Sequence, residues 1–370
     1  MSTPGPRQDE GAALAGLGWT PSRAAAFARH AEAGHQPARV VIEERGLLRV
    51  ATGSGETLAT IAGRLRHEAE LDLAVDVPAV GDWVALSGNP GDGPVIQAVL
   101  PRSSAIVRRA PTDRARPTQV LAANIDVAFL VTSLNRDFNL RRIERYLAVG
   151  WESGATPVIL LSKADLADNV AGMVLAAEAV APGAEVIAAS AVTGAGLETV
   201  RRHLGPGRTV VFLGSSGVGK SSLVNALAGE PLLTTASIRE DDARGRHTTT
   251  RRQLITLGGG LVIDTPGLRE LGLADGDGLA EVFDDLEVIA SDCRFSDCRH
   301  EGEPGCAVRA AIAEGRLDEA RLTAFRKLER EAHRAELAAN PVARKAERRR
   351  WSAMIKGVER GLDIKYGTER

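Results

Sequence analysis
Gly214, Gly219, Lys220 and Ser221 stand at the spacing G-x-x-x-x-G-K-[S/T], between an apolar run at 210–213 and a helical pattern beyond. Glycines let the backbone curl so that the N–H groups of Gly214, Ser215, Ser216, Gly217, Val218 and Gly219 point inward, an arrangement that holds phosphate oxygens. A helix starting near Lys220 adds its positive N-terminal end. The Lys220 ammonium can then reach the outer phosphates and the Ser221 hydroxyl can bind Mg2+, while Ser222 completes the nucleotide-contacting run.

Hydrolysis also needs a carboxylate near the metal and a sensor of the terminal phosphate. The run "GLVIDTPG" places Asp264 after an apolar strand, to hold Mg2+ directly or through water, and Gly267 three residues on, where its N–H can meet the γ-phosphate. Between the two motifs lies "REDDARGRHTTTRRQ". Thr248 or Thr249 can supply a hydroxyl to the metal there, and Thr249 is the favoured ligand.

Base choice falls on "LLSKAD", which leaves a strand with Lys163 and Asp165 in the positions of an N-K-x-D guanine motif. A carboxylate there accepts from both N1–H and the 2-amino group of guanine, a donor pair that adenine lacks. An unmet buried acceptor costs on the order of 1–3 kcal/mol, enough for strong selectivity. Ser162 replaces the usual Asn, which predicts one weaker auxiliary contact and lower nucleotide affinity rather than a changed base. "ASA" then offers Ser190 and Ala191 as a loop whose backbone touches the guanine carbonyl.

A separate cluster reads C-x(4)-C-x-H-x(5)-C, with Cys293, Cys298, His300 and Cys306. These are the chain's only cysteines, an odd number and a poor disulfide framework. Three thiolates and an imidazole make a closed tetrahedral set, the pattern of structural zinc. Iron is the less favoured alternative.

Elements of two textures must position these residues. From about 37 to 110 the runs "RVVIEE", "LLRVAT", "ETLATIAGRL", "DWVALSG" and "PVIQAVLP" alternate with Gly, Pro and Asn turns. Five short strands predict a small barrel of oligonucleotide-binding size, serving either nucleic acid or simply the packing of domains. Trp83 is the only aromatic residue there, to stack a base or to fill the core. "PTDRARPTQ" at 111–119 reads as a linker. Beyond it, continuous apolar runs at 125–133, 156–165, 184–191, 208–217 and 260–267 alternate with helical patterns, as in a parallel sheet covered on both faces. Each nucleotide motif leaves the end of such a run. The expected organisation is an N-terminal extension at 1–36 with a short helix at 22–33 and no clear core, a barrel at 37–112, a P-loop domain at 113–285, and a metal-binding helical region at 286–370.

The order is rotated. In common GTPases the phosphate loop precedes the base motifs, whereas here 162–165 and 190–191 precede 214. A circular permutation that joins the old ends near 200–208 preserves the same site in space.

With 370 residues, two or three domains are expected, and a net charge of −2 gives no global attraction to nucleic acid or membrane. From 326 to 370 there are 13 Lys/Arg against 7 Asp/Glu, either a solvated helix face or a phosphate-contacting tail. No apolar stretch reaches membrane-span length and no secretory leader is evident, so cytoplasm is the expected compartment.

The motif order, flanked by a barrel and a cysteine cluster, resembles the circularly permuted ribosome small subunit-dependent GTPase A family (RsgA/YjeQ) from about residue 37 onward. The marks are "GSSGVGKSS", "GRHTTT", "DTPG", "SKAD", "ASA" and "CRFSDCRHEGEPGC". The resemblance implies an oligonucleotide-binding barrel and a late assembly factor, expected to be a monomer, that binds the small ribosomal subunit and its rRNA. It would hydrolyse GTP in response and then leave. Leu268 follows the D-x-x-G glycine, where many GTPases carry a water-positioning Gln. His247, beside the threonines, is the best local replacement, as the resemblance also suggests. Two other readings stay open: a P-loop ATPase or kinase with a metal-binding appendage, and an RNA-binding scaffold that only senses GTP. GTP-against-ATP competition tests the first, and single-turnover hydrolysis with small subunits tests the second.

Overall fold
The computed structural model describes residues 8–44, 46–71, 77–89, 93–109, 118–135, 138–215, 217–233, 252–264, 282–295 and 297–339. Two helices come first, α1 (Gln8–Gly16) and α2 (Pro21–Glu32). Thr20 caps α2 by accepting from the Arg23 N–H, with Pro21 pre-set for the first turn. Leu14 and Phe27 are buried against Trp83, Ala85 and Leu100, and the Trp19 ring lies 4.6 Å from that of Trp83. The extension therefore does own buried side chains. Their partners lie on the barrel, which is why residues 1–36 taken alone show no core. Trp83 is 1% exposed beneath them, a core residue rather than a base-stacking surface.

The barrel consists of β1 (Gln36–Glu44), β2 (Leu47–Thr52), β3 (Gly55–Ile61), α3 (Gly63–Leu71), β4 (Trp83–Asn89) and β5 (Gly93–Val99). Its strand order is β1-β2-β3-β5-β4, and β4 pairs back onto β1 to close it. A hairpin, β6 (Ala105–Arg109) and β7 (Thr118–Ala123), follows. It straddles both the stretch expected to be a linker and the expected boundary at 112. Antiparallel pairing across that segment leaves no periodic signal within it.

The α/β region runs β8 (Val127–Ser133), α4 (Leu140–Glu152), β9 (Thr156–Ser162), α5 (Val170–Glu178), β10 (Glu185–Ala188), α6 (Leu197–Arg201), β11 (Thr209–Leu213), α7 (Lys220–Ala228), β12 (Gln253–Leu257) and β13 (Gly260–Asp264). The sheet order β10-β9-β8-β11-β13-β12 is parallel except for β12. Strands β8 and β11 are buried at every position. Alternate residues feed two cores: Val127, Phe129 and Val131 face Leu223, Val224 and Leu227 of α7, while Ala128 and Leu130 join Ile143 and Leu147 of α4. Burial on both faces explains why these strands read as unbroken apolar runs.

β12 also meets β1, at Gln253 opposite Ile42, so sheet and barrel form one eleven-stranded system. Arg39 is fully buried where three parts meet. Its guanidinium donates to the carbonyls of Gly81, Leu17 and Asn124 and lies over the Trp83 ring at 5.6 Å. Burial depresses its pKa to about 9, which leaves it charged at neutral pH. Among the described residues, helices α8 (Asp284–Ala290), α9 (Ala307–Ala313) and α10 (Glu319–Ala339) follow.

Candidate nucleotide site and metal centre
β11 ends at Leu213 and α7 begins at Lys220, so the expected phosphate loop is a strand-to-helix turn. Gly214 has φ 152°, and a Cβ there would lie 2.3 Å from the Val131 carbonyl, so only glycine fits against β8. Gly219, at φ 95°, turns the chain into α7, whose free N–H groups face the loop. The Lys220 ammonium folds back over the loop and donates to the carbonyls of Gly214 and Ser215 at 2.7 and 2.8 Å. A cation stands above inward-curled backbone, the donor set that phosphate oxygens require.

The base motif is fastened to this loop. Ser162 is 1% exposed at the end of β9, and its hydroxyl donates to the Val218 carbonyl at 2.5 Å, with the Thr132 carbonyl at 3.2 Å. Lys163 adopts φ 56°, and its ammonium donates to the Gly217 carbonyl at 2.7 Å. The short Ser162 hydroxyl thus reaches the loop backbone directly. Asp165 is exposed, and its carboxylate accepts from the Ser190 hydroxyl at 2.5 Å. The same hydroxyl accepts from the N–H groups of Val192 and Thr193, which shapes the loop that carries Ala191. Four segments distant in sequence thereby meet at the carboxyl end of one sheet.

Val211 pairs with Ile263 in parallel register, so Asp264 leaves β13 at the same end as the phosphate loop. Ser221 and Ser222 lie in the first turn of α7. Ser216, His247, Thr248, Thr249 and Gly267 lie outside the described residues.

The cysteine cluster comes together as expected. One ligand atom from each of Cys293, Cys298, His300 and Cys306 lies within 4.8 Å of all the others. The His300 Nδ1 is 3.6 Å from Cys293 Sγ and 3.4 Å from Cys306 Sγ, and the two sulfurs are 4.0 Å apart. A tetrahedral zinc ion with ordinary Zn–S and Zn–N bonds needs separations of about 3.6 Å and about 3.8 Å, so the donor set fits that ion. Burial, followed by the Arg326 charge, lowers the His300 pKa and keeps the imidazole in its neutral, ligating form. His300 itself has φ 60°, and its carbonyl accepts from Arg309 Nε at 2.7 Å. Glu303 organises the loop: its carboxylate accepts from the N–H groups of Arg299, Glu301 and Gly302. Backbone donors, its own amide first and then that of Arg299, hold its pKa at about 2.

The model of the RsgA GTPase family matches residues 99–274. A protein of Opitutus terrae named small ribosomal subunit biogenesis GTPase RsgA is 46% identical over 93% of this chain and 96% of its own length. The chain belongs to the RsgA GTPase family. A relative of the same name from Streptomyces coelicolor is also 46% identical, over 87% of each chain. YjeQ from Thermotoga maritima, a solved structure, superposes with a TM-score of 0.58 at 27% identity, covering 80% of this chain and 98% of that one. YloQ, described as a circularly permuted GTPase, shares the fold with a TM-score of 0.55 at 23% identity. In this chain β11, which leads into the Gly214–Ser221 turn, follows β9 and β10 in sequence, the rotated order of a permuted fold.

Three contacts at this RsgA-family site carry no motif. Tyr146 on α4 is buried with its hydroxyl 3.0 Å from Ser215 Oγ. Glu144 on the same helix accepts from Arg321 of α10 at 2.9 Å. Glu303 sits among the four clustered Cys and His residues and shapes their loop. Tyr146 falls within the apolar stripe of α4 and reads from sequence as plain core, and the other two read as solvated charges.

Proposed function
We propose that this chain binds GTP with Mg2+, hydrolyses it when the small ribosomal subunit completes the site, and then leaves the maturing particle. The observation that carries this reading is the tether of the base motif to the phosphate loop through Ser162–Val218 and Lys163–Gly217, with Asp165 held by Ser190 beside it. The relatives, named small ribosomal subunit biogenesis GTPases, support this choice of partner.

In this mechanism the Asp165 carboxylate accepts from guanine N1–H and the 2-amino group. The loop amides and the α7 N-terminus hold the phosphates, and Lys220 neutralises charge on the β and γ groups. Ser221, Thr249 and Asp264 would hold Mg2+, which when bound stabilises the charge developing on the transferred phosphoryl oxygens. Leu268 offers no group to orient water, and His247 takes that task. Cys293, Cys298, His300 and Cys306 hold a structural zinc ion that shapes the C-terminal region for rRNA. Loss of the γ-phosphate, passed along the segment after Gly267, shifts that region and weakens RNA contact. The protein acts as a monomer in the cytoplasm, and no described helix is long and apolar enough to cross a membrane.

Single-turnover hydrolysis with and without small subunits tests this reading, alongside competition of GTP against ATP. Turnover stimulated by subunits and confined to GTP is expected. His247→Ala should bind GTP normally and lose the stimulated rate. Equal ATP and GTP affinity, or stimulation that persists in His247→Ala, would overturn the corresponding assignment.

A further inference from the structure
α4 touches the phosphate loop on one side and the C-terminal helices on the other. The Tyr146 hydroxyl meets Ser215 Oγ at 3.0 Å, and the Ser215 carbonyl accepts from the Lys220 ammonium at 2.8 Å. Fixing Ser215 therefore fixes one of the two described carbonyls that orient the ammonium. The Tyr146 ring is 6% exposed and packed in the core, so its hydroxyl has little freedom to move away.

Glu144 stands two residues earlier, about 200° around the helix, and so leaves α4 on the opposite side. It is 4% exposed and accepts from Arg321 at 2.9 Å. Arg321 is gripped in turn by both Asp285 oxygens at 2.5 and 2.7 Å and donates to the Val282 carbonyl at 2.8 Å. Its guanidinium lies 4.9 Å from the centre of the Phe283 ring. One half-buried arginine of α10 thus ties that helix to α4 and α8, and the regular hydrogen bonding of α4 makes it a stiff spacer between that clamp and the loop.

We propose that Tyr146 is a positioning residue for Lys220, and that the Glu144–Arg321 pair lets the C-terminal helices set how firmly α4 presents it. The inference rests on the reading of 214–221 as a guanine-nucleotide loop and adds a route between the metal-bearing region and the phosphates that does not run through the segment after Gly267.

Dissociation rates of fluorescent GDP and of a fluorescent non-hydrolysable GTP analogue from the full chain test it, using Tyr146→Phe, Glu144→Gln and the double variant. Tyr146→Phe keeps the ring and should speed release of the GTP analogue about five-fold, the effect of one lost hydrogen bond, with a smaller effect on GDP. Glu144→Gln should speed release about two- to three-fold, and the double variant should be no faster than Tyr146→Phe alone, since coupled sites are not additive. If Glu144→Gln does not fold, Arg321→Lys, which keeps the charge and loses the fork, stands in its place with the same expectation. Unaltered release from Tyr146→Phe, or effects that simply multiply in the double variant, overturn the proposal. A wild-type chain that binds neither nucleotide overturns the guanine reading itself, an outcome visible before any variant is made.

Discussion
The Ser162 hydroxyl donates to the Val218 carbonyl at 2.5 Å, so the last residue of β9 and the middle of the phosphate loop are held as one piece. A serine at this place in the base motif therefore does a specific job. Ser162→Ala removes the only side-chain donor it gives the loop and should weaken GDP binding about three- to ten-fold, as expected for one buried hydrogen bond. Titration with a fluorescent GDP analogue measures this; unchanged affinity would show that the tether is incidental.

Asp165 is predicted to set base identity. Asp165→Asn replaces one acceptor oxygen with a donor, which suits the 2-carbonyl of xanthine and opposes the 2-amino group of guanine. GDP affinity should fall by at least roughly ten-fold, the scale of a charged hydrogen bond, while xanthosine diphosphate affinity rises. Competition between the two nucleotides reads the switch directly, and a parallel loss for both would remove Asp165 from the base site.

The Glu303 carboxylate holds three backbone N–H groups of the loop that presents His300. Glu303→Ala should leave all four metal ligands in place yet speed zinc transfer to a colorimetric chelator by about ten-fold, the lower range for a group that orients a ligand. Cys306→Ser should lose the metal altogether by elemental analysis and lower the melting temperature through that loss alone, because the serine hydroxyl can still cap α9 through the Arg309 N–H. Equal release rates from wild type and Glu303→Ala would refute the organising role.

Arg39 satisfies carbonyls from the extension, the barrel and the turn before β8. Arg39→Met fills similar volume but strands all three from this donor, which should cost about 2–4 kcal/mol. The midpoint of urea unfolding should fall accordingly. Arg39→Lys should recover little, since a point charge cannot reproduce the guanidinium fork.

Local sequence made strands and turns legible where one segment carries its own signal. "LLRVAT" is β2 residue for residue, and the G-x-x-x-x-G-K-S spacing located the turn between β11 and α7. The cluster of Cys293, Cys298, His300 and Cys306 was legible because the four lie within 14 residues of one another. Features that depend on distant partners were not. β7 lies partly within a stretch that reads as linker because its pairing partner, β6, lies across that stretch. β12 begins in the polar run after the threonines, and its order comes from β13 and β1. Leu14 and Phe27 acquire a core only when Trp83 is beneath them. Tyr146 and Glu144 occupy one helix whose apolar stripe hides the hydroxyl and whose charge looks solvated until Arg321 arrives from 177 residues away.

The meeting of β1 with β12 has a consequence for how the chain is made. Glu43 and Arg252, joined at 2.8 Å, are 209 residues apart. At the ordinary pace of translation, β1 waits roughly 10–40 s for β12 to be synthesised. Every barrel partner of β1 emerges within the first hundred residues, and its register against β2 slips between Val40 and Ile42, close to where β12 later attaches. The barrel can close early and keep that short edge exposed. A nascent nucleotide domain then completes its sheet against a finished template, so the rotated gene order makes the oldest part of the polypeptide the jig on which its catalytic part is assembled.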